Sequence, residues 1–328
     1  MRAILVTAPG DEDRLAYGEA PAPPLGPSDV RIRVRATAVN RADLLQRMGL
    51  YPPPPGASDI LGLECAGEVI EVGPAVAGVR VGQRVMALLA GGGYAEEVAV
   101  DAGSVLPVPA GMSDEEAGAF PEVFLTAYSN LFMPGLGALA PGDSVLVHGG
   151  GGGVGTAAIT LLREAGHACY VTVGSAEKAE RCVALGATAA IDYRSEDFVA
   201  QIRELTGGRG VDVILDHIGA SYLARNLDVL ATGGRLVEIG LMGGAKSEIN
   251  LGLLLTRRLS VIGSTLRTRP TAEKAAIVRG FLARFGDALE AGRLRPVVHT
   301  VLPLAEAAEA HRLMKRSDHF GKIVLRVA

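Results

Sequence analysis

The chain has 328 residues, of which 48% are hydrophobic and 21% charged, and its formal net charge is -4. Two domains are expected from that length, and the composition excludes disordered and fibrous classes. The acidic balance provides no basic footprint, so nucleic acid is not expected as a partner. Cys65, Cys169 and Cys182 have no CxxC spacing, which excludes a disulfide framework and a four-thiolate zinc site. No stretch reaches the roughly 20 apolar residues of a membrane span. Met1–Thr7 reads as a first strand rather than a leader. A cytoplasmic protein is expected.

Residues 1–120 read mostly as β-structure. Val30, Ile32, Val34, Ala36 and Ala38 alternate with Arg31, Arg33, Arg35 and Thr37, the period of a strand with one buried face. The arginines read as its solvated face. Further strands are expected at 68–72, 84–89 and 94–100, punctuated by Gly73-Pro74, Gly82 and Gly91-Gly92-Gly93. From about residue 144 to 263, short apolar runs alternate with helical stretches. Strands are expected at 145–147, 169–173, 189–192, 213–215, 236–239 and 261–262. Helices are expected at 155–165, 177–185, 197–205 and 222–230. That alternation implies a parallel, doubly wound sheet. Two helices and a strand at 322–327 then rejoin the first domain.

The most informative segment is Val145-Leu146-Val147-His148-Gly149-Gly150-Gly151-Gly152-Gly153-Val154-Gly155. Gly150-x-Gly152-x-x-Gly155 follows a strand and opens a helix. Glycine lets the backbone approach a pyrophosphate, and the helix start offers free N–H groups, so a dinucleotide is expected at Gly150, Gly152, Gly153, Val154 and Gly155. His148 ends the strand beside this turn. The next strand ends in Val173-Gly174-Ser175-Ala176-Glu177-Lys178. An acid at that position commonly binds the ribose hydroxyls of NAD. Here Gly174 removes its repulsion, Ser175 can donate to a 2′-phosphate and Lys178 can pair with its charge, so NADP(H) is expected.

A family resemblance rests on Asn40-Arg41-Ala42-Asp43, Gly62-x-Glu64-x-x-Gly67-x-Val69-x-x-Val72-Gly73, Gly82-x-Arg84-Val85, Thr126-Ala127-Tyr128 and Gly321-Lys322-Ile323-Val324-Leu325. These resemble the quinone oxidoreductases, a zinc-free branch of the medium-chain dehydrogenase/reductase family. Gly240-Leu241-Met242-Gly243-Gly244 and Gly263-Ser264-Thr265-Leu266-Arg267 are most similar to its p53-inducible members. The resemblance implies an α/β protein with a GroES-like, β-rich catalytic domain (1–122 with 265–328) and a Rossmann cofactor domain (123–264). Zinc-dependent relatives carry Cys at Asn40 and His at Leu63. With those ligands absent and the six histidines scattered, no metal is expected.

Without a Lewis acid the acceptor must already be electron-poor, as a quinone or an α,β-unsaturated carbonyl is. The resemblance places Asn40, Asp43 and Tyr51 on the active-site cleft. Asn40 can donate its amide N–H to a substrate carbonyl. Tyr51 can stack on a flat ring, give a proton, or simply pack. Asp43 can cap a helix or pair with Arg47. The resemblance also implies that Thr126 touches the nicotinamide and Tyr193 lies near the 2′-phosphate. Leu241, Met242 and Gly243 would pass under the ribose, and Ser264, Leu266 and Arg267 would line the far side. Core packing is the other reading for Leu241 and Met242, and a surface salt bridge for Arg267. Some relatives use a C-terminal arginine for the phosphate. Ser317 stands there, so Lys322 either substitutes or caps the cleft. The expected activity is NADPH-dependent quinone reduction, with enoyl or 2-alkenal reduction as the alternative and a non-catalytic NADPH- or RNA-binding role behind both. A homodimer, or a tetramer, is expected.

Overall fold

The computed structural model describes residues 1–327 and divides the chain into two compact units. One comprises Met1–Leu125 and the C-terminal segment from Leu266, and the other comprises Thr126–Thr265.

The first unit holds β1 (Arg2–Val6), β2 (Leu15–Glu19), β3 (Asp29–Ala38), α1 (Arg41–Arg47), β4 (Glu64–Val72), β5 (Arg84–Leu88), β6 (Glu97–Asp101), β7 (Val105–Pro107) and α2 (Asp114–Gly118). Helix α3 (Pro121–Phe132) begins in this unit and continues into the second. The alternating face read from 30–38 is buried as expected, with Val30, Ile32, Ala36 and Ala38 all 0% exposed. On its other face Arg33 is exposed, but Arg31 is tied to Glu71 at 2.8 Å and Thr37 is buried, donating to Glu64 O. The polar face is therefore only partly a solvent face.

The second unit contains β8 (Val145–His148), α4 (Gly153–Ala165), β9 (Cys169–Val173), α5 (Ala176–Leu185), β10 (Ala189–Asp192), α6 (Phe198–Leu205), β11 (Val211–Asp216), α7 (Leu223–Val229), β12 (Leu230–Glu238), α8 (Leu251–Arg257) and β13 (Ser260–Gly263). Its sheet runs β10-β9-β8-β11-β12-β13, every pair parallel. That is the doubly wound order 3-2-1-4-5-6, whose ligands bind outside the carboxyl ends of the strands. Both sheet faces are buried: Leu146, Ile214 and Leu236, neighbours in register at 0% exposure, fill one, and Val145 and Val213, also at 0%, lie on the other. Each large apolar side chain buried in this way contributes about 1.5–3 kcal/mol.

After β13 the chain returns to the first unit as α9 (Thr271–Glu290), β14 (Val298–Pro303), α10 (Ala307–Arg316) and β15 (Lys322–Arg326). Strand β15 pairs antiparallel with β3, Val324 opposite Ala38, and parallel with β14. The seven-stranded sheet of this unit thus includes strands from both ends of the chain, in the order β14-β15-β3-β4-β5-β7, with β6 also on β3. Among the described residues no helix is long and apolar enough to cross a membrane.

Candidate active site

In the first unit, the return of β15 places a charged side chain inside the core. Lys322, 2% exposed, puts its ammonium 2.8 Å from Glu64 Oε1, 2.6 Å from Asn40 Oδ1 and 3.1 Å from Val39 O. Asn40 donates Nδ2 to Glu64 Oε1 at 2.9 Å and to Ala38 O at 3.2 Å. The second oxygen of Glu64 accepts the Glu122 backbone N–H at 2.9 Å, fixing the start of α3. An ion pair is tolerated at this depth because each remaining donor and acceptor finds a partner.

Asp43 lies one layer away and is fully buried. Its carboxylate accepts the Asn40 N–H at 2.7 Å, which closes the first turn of α1, and the Gly62 N–H at 3.0 Å. Tyr94 Oη lies 3.3 Å from the same carboxylate and 3.2 Å from His311 Nε2. Burial pushes Asp43 up to about 6, against the pull of these hydrogen bonds and of Lys322. His311 is driven down to about 3 by burial and by Arg47, whose guanidinium sits 3.1 Å from Nδ1. A neutral ring accepting from Arg47 at Nδ1 and donating to Tyr94 from Nε2 completes the chain of bonds.

The loop after α1 is pinned by Arg267. That guanidinium is 3% exposed and donates to Ala90 O at 2.8 Å, Gln46 Oε1 at 2.6 Å and Tyr51 O at 3.4 Å. It also lies 5.3 Å from the centroid of the half-buried Tyr51 ring. Burial and the charge of Glu122 raise the Tyr51 phenol above its ordinary value. Glu122 is pushed up to about 8 by burial and by neighbouring Glu64.

In the second unit, the glycine turn joins β8 to α4. A Cβ at Gly155 would lie 2.3 Å from Gly149 O, and one at Gly150 would lie 2.7 Å from Val171 Cβ. Only glycine permits so tight a turn. Gly152 is the N-cap of α4, and no side chain caps the N–H groups that follow. This is a cradle that a pyrophosphate fits.

At the end of β9, a Cβ on Gly174 would meet Tyr193 Oη at 2.7 Å and Arg194 Nε at 3.6 Å. Ser175 caps α5 by accepting the Lys178 N–H at 3.3 Å, which leaves its hydroxyl proton to donate outward. Tyr193 and Arg194 therefore flank the space that a side chain at Gly174 would fill, with Ser175 next in the chain and Lys178 in the first turn of α5. Arg194 was not foreseen from sequence; it is the second residue after β10, and the parallel pairing of β10 with β9 brings it here. Leu241 and Met242 are 58% and 54% exposed, on a loop held by Gly243 N–H to Ile218 O at 2.6 Å. Ser264 N–H donates to Glu238 O at 2.9 Å, and Thr126, 8% exposed, lies in α3. Leu266 is 7% exposed and belongs to the first unit.

Several expectations are corrected. His148 is not available to a cofactor: it is 1% exposed, with Nδ1 2.9 Å from Thr172 Oγ1 and Nε2 2.7 Å from Asn226 Oδ1. Lys322 has three N–H donors and three internal partners, so it neither substitutes for a phosphate-binding arginine nor caps a cleft. Both amide hydrogens of Asn40 are committed, so it is not a free donor for a carbonyl. Asp43 caps α1 but does not pair with Arg47, which instead meets Glu12 at 3.2 Å. Arg267 is not a surface salt bridge, and Leu241 and Met242 are not core residues. Sequence reasoning passed over Glu64 and Glu122. The signal for Glu122 was an acid directly after Pro121 and ahead of the apolar run Val123-Phe124-Leu125.

A β-rich unit of this topology joined to a doubly wound sheet is the architecture of medium-chain dehydrogenases and reductases. Residues 26–110 match the alcohol dehydrogenase GroES-like domain, and residues 185–325 match a domain described as zinc-binding dehydrogenase. Among the described residues, no three His, Cys, Asp or Glu side chains are grouped to hold a metal ion.

The human synaptic vesicle membrane protein VAT-1 homolog is 33% identical, covering 99% of this chain and 86% of that protein. The mycocerosic acid synthase-like polyketide synthase of Mycobacterium tuberculosis is 37% identical over 99% of the chain, which spans only 15% of that synthase's length. Among solved structures, an NAD-dependent alcohol dehydrogenase is 35% identical with a TM-score of 0.87, covering 100% of both chains. The Escherichia coli quinone oxidoreductase complexed with NADPH is 29% identical with a TM-score of 0.86, covering 100% of both chains. The CurK enoyl reductase is 29% identical with a TM-score of 0.86, covering 100% of this chain and 99% of its own. The chain belongs to the zinc-independent, quinone oxidoreductase-like branch of the medium-chain dehydrogenase/reductase family.

Lys322→Met strands Glu64 as a buried, uncompensated charge and is expected to cost about 3–5 kcal/mol of stability. Urea denaturation of the two proteins at pH 7 measures it; a loss below about 1 kcal/mol would show that the pair is dispensable.

Proposed function

We propose that the protein reduces quinones with NADPH. The observation that carries the cofactor assignment is the group around Gly174. Ser175 and Tyr193 offer hydroxyl donors, Lys178 and Arg194 offer positive charge, and no acid stands at the strand end to repel a 2′-phosphate. The Escherichia coli quinone oxidoreductase, solved with NADPH, supports the same choice. The pyrophosphate would lie on Gly150, Gly152, Gly153, Val154 and Gly155, with Thr126, Leu241, Met242, Gly243 and Ser264 toward the nicotinamide end. The bound cofactor would supply a hydride and its electron pair.

The chain's own contribution is to bind and orient the acceptor. Tyr51 presents a half-buried ring backed by the Arg267 guanidinium, a surface suited to a flat, electron-poor ring. Arg267, anchored on Gln46 and Ala90, donates to Tyr51 O of that loop, so the ring is in position before the acceptor arrives, which lowers the entropy cost of orientation. Asp43, through Asn40 and Gly62, fixes the backbone on either side of the same region.

Enoyl or 2-alkenal reduction is the second reading, favoured by the likeness to the CurK enoyl reductase and by the phenol of Tyr51. The exposed edge strand β13, with Val261 43% exposed and Leu255 of α8 79% exposed, is proposed to pair with a second copy. Sedimentation at micromolar concentration should then give a dimer mass, and a monomer would refute the pairing.

The deciding experiment follows NADPH oxidation with 1,2-naphthoquinone and a 2-alkenal in parallel, with NADH as control. Fast quinone turnover with NADPH alone is expected. Tyr51→Phe should then change quinone turnover only a few-fold, whereas an enone reductase would lose roughly 100-fold with its proton donor. Arg194→Ala should weaken NADPH binding roughly tenfold or more, with NADH binding unchanged. Equal weakening of both cofactors would remove Arg194 from the 2′-phosphate site.

A further inference from the structure

A cavity of about 240 Å3 lies wholly within the first unit, between the loop at 56–60, the segment 88–92, strand β6 and the start of α9. Its wall includes the buried apolar side chains Leu88, Leu89 and Val98. Glycine lets the surrounding backbone close up. A Cβ at Gly91 would lie 2.5 Å from Ser58 O, and one at Gly103 would lie 2.6 Å from Ala275 Cβ, which seats the turn after β6 against α9.

Lys274, at the end of the first turn of α9, lines this cavity and is only 9% exposed. Among the described residues its ammonium has no hydrogen-bond or ion-pair partner, and the nitrogen is not sealed in by protein. The three other buried Lys and Arg side chains of the unit are all engaged: Arg47 with Glu12, Arg267 with Ala90 O and Lys322 with Glu64. A buried charge without a counter-charge is strongly unfavourable. Burial lowers the Lys274 amine from its ordinary value, with Glu122 opposing the shift and Arg267 adding to it.

Two further donors line the same space. Thr271 opens α9, whose first turn no side chain caps, so the positive end of the helix dipole adds to the ammonium. Ser58 Oγ accepts the Ile60 N–H at 3.2 Å, which leaves its hydroxyl proton to donate. The acids of the cavity wall are turned to local partners. Asp29 accepts the Gly26 N–H at 2.9 Å, Asp101 accepts the Gly103 N–H at 2.8 Å, and Glu97 lies 3.9 Å from Arg31. None of these three is among the charges that bear on Lys274. Glu273, in the same turn of α9, is held by Arg269 at 3.2 Å.

We propose that this cavity binds a small carboxylic acid with an apolar body about the size of one ring, its carboxylate paired with Lys274 and its body against Leu88, Leu89 and Val98. The size follows from the volume, since roughly 150 Å3 holds a benzene ring and the remainder admits a carboxylate. The charge follows from the donors. One ammonium and two hydroxyls match a monoanion, whereas a phosphate dianion would bring a second negative charge among Asp29, Glu97 and Asp101. The site is independent of the quinone-reductase reading, because it needs neither cofactor nor turnover. Ala90, whose carbonyl accepts from Arg267, lines the same cavity, so an occupant lies against the anchor of the Tyr51 loop.

Calorimetric titration of the full chain tests the site directly. Benzoate should bind with a Kd on the order of 1 mM or tighter. Benzamide has the same shape without the charge and should bind at least roughly tenfold more weakly. Inorganic phosphate has charge without the apolar body and should also bind at least roughly tenfold more weakly. Lys274→Met should weaken benzoate by roughly tenfold or more. Because it replaces an unpaired buried charge with apolar atoms on a similar stem, its Tm without ligand should equal or exceed that of wild type. If Lys274→Met does not fold, Lys274→Gln, which removes the charge and keeps a neutral donor, carries the same titration. Benzoate bound equally by wild type and the Lys274 variant, benzamide or phosphate bound as tightly as benzoate, or no benzoate binding at about 10 mM would each overturn the proposal. So would a marked fall in the Tm of Lys274→Met, since it would show that the ammonium already has a partner inside the protein.

Discussion

The ion pair between Lys322 and Glu64 is the constraint on which the first unit depends. Neither charge reaches water, so each requires the other, and Asn40 and the Glu122 N–H are drawn in to satisfy what remains. One contact thereby fixes the end of β3, the start of α1, the first residue of β4, the start of α3 and the first residue of β15. An apolar substitute of similar volume would cost less to bury. What the charged version adds is direction: a hydrogen-bonded cluster admits one arrangement of these five chain segments, where a greasy contact would tolerate several. The start of α3, with Glu122, inherits its position from it.

The second unit solves a related problem differently. Its parallel sheet must end abruptly so that the backbone can fold back at Gly149–Gly155, and His148 braces that ending. The ring is held by Thr172 of β9 on one side and Asn226 of α7 on the other, and packs edge-on against Phe198 and Tyr222 at 5.1 and 4.9 Å. Asn226 in turn donates to Asp216, whose carboxylate also accepts the N–H groups of Ile218 and Gly219. A run of side chains across three strand ends thus shapes the loops that follow them. These residues act on a nucleotide only through the backbone they hold.

The fold was legible because it is written in short-range pattern. The alternation at 30–38 and the strand–glycine–helix order at 145–165 each depend on neighbours in sequence, and the doubly wound order follows from them. Helix α8 and strand β14 were not read. Leu251–Arg257 is too short to show a period, and β14 takes its place from β15 rather than from its own residues. The glycine turn was legible for the same local reason. The roles of Asn40, His148 and Lys322 were not, because each is decided by partners far along the chain: Lys322 lies 282 residues from Asn40. A sequence shows which side chains can donate; it does not show which are already engaged.

The path of the chain carries a temporal consequence. Glu64 emerges early in synthesis and Lys322 near the end, with the whole of the second unit made between them. Residues Thr126–Thr265 form a compact body of local contacts that can close as it appears, whereas the first unit must wait with an unmatched acid in its interior. Its two separated pieces can pair only once β15 has been made. In a cell, the interval before β15 arrives is when this protein is most exposed to aggregation and proteolysis, and the length of that interval is set by the length of the inserted unit.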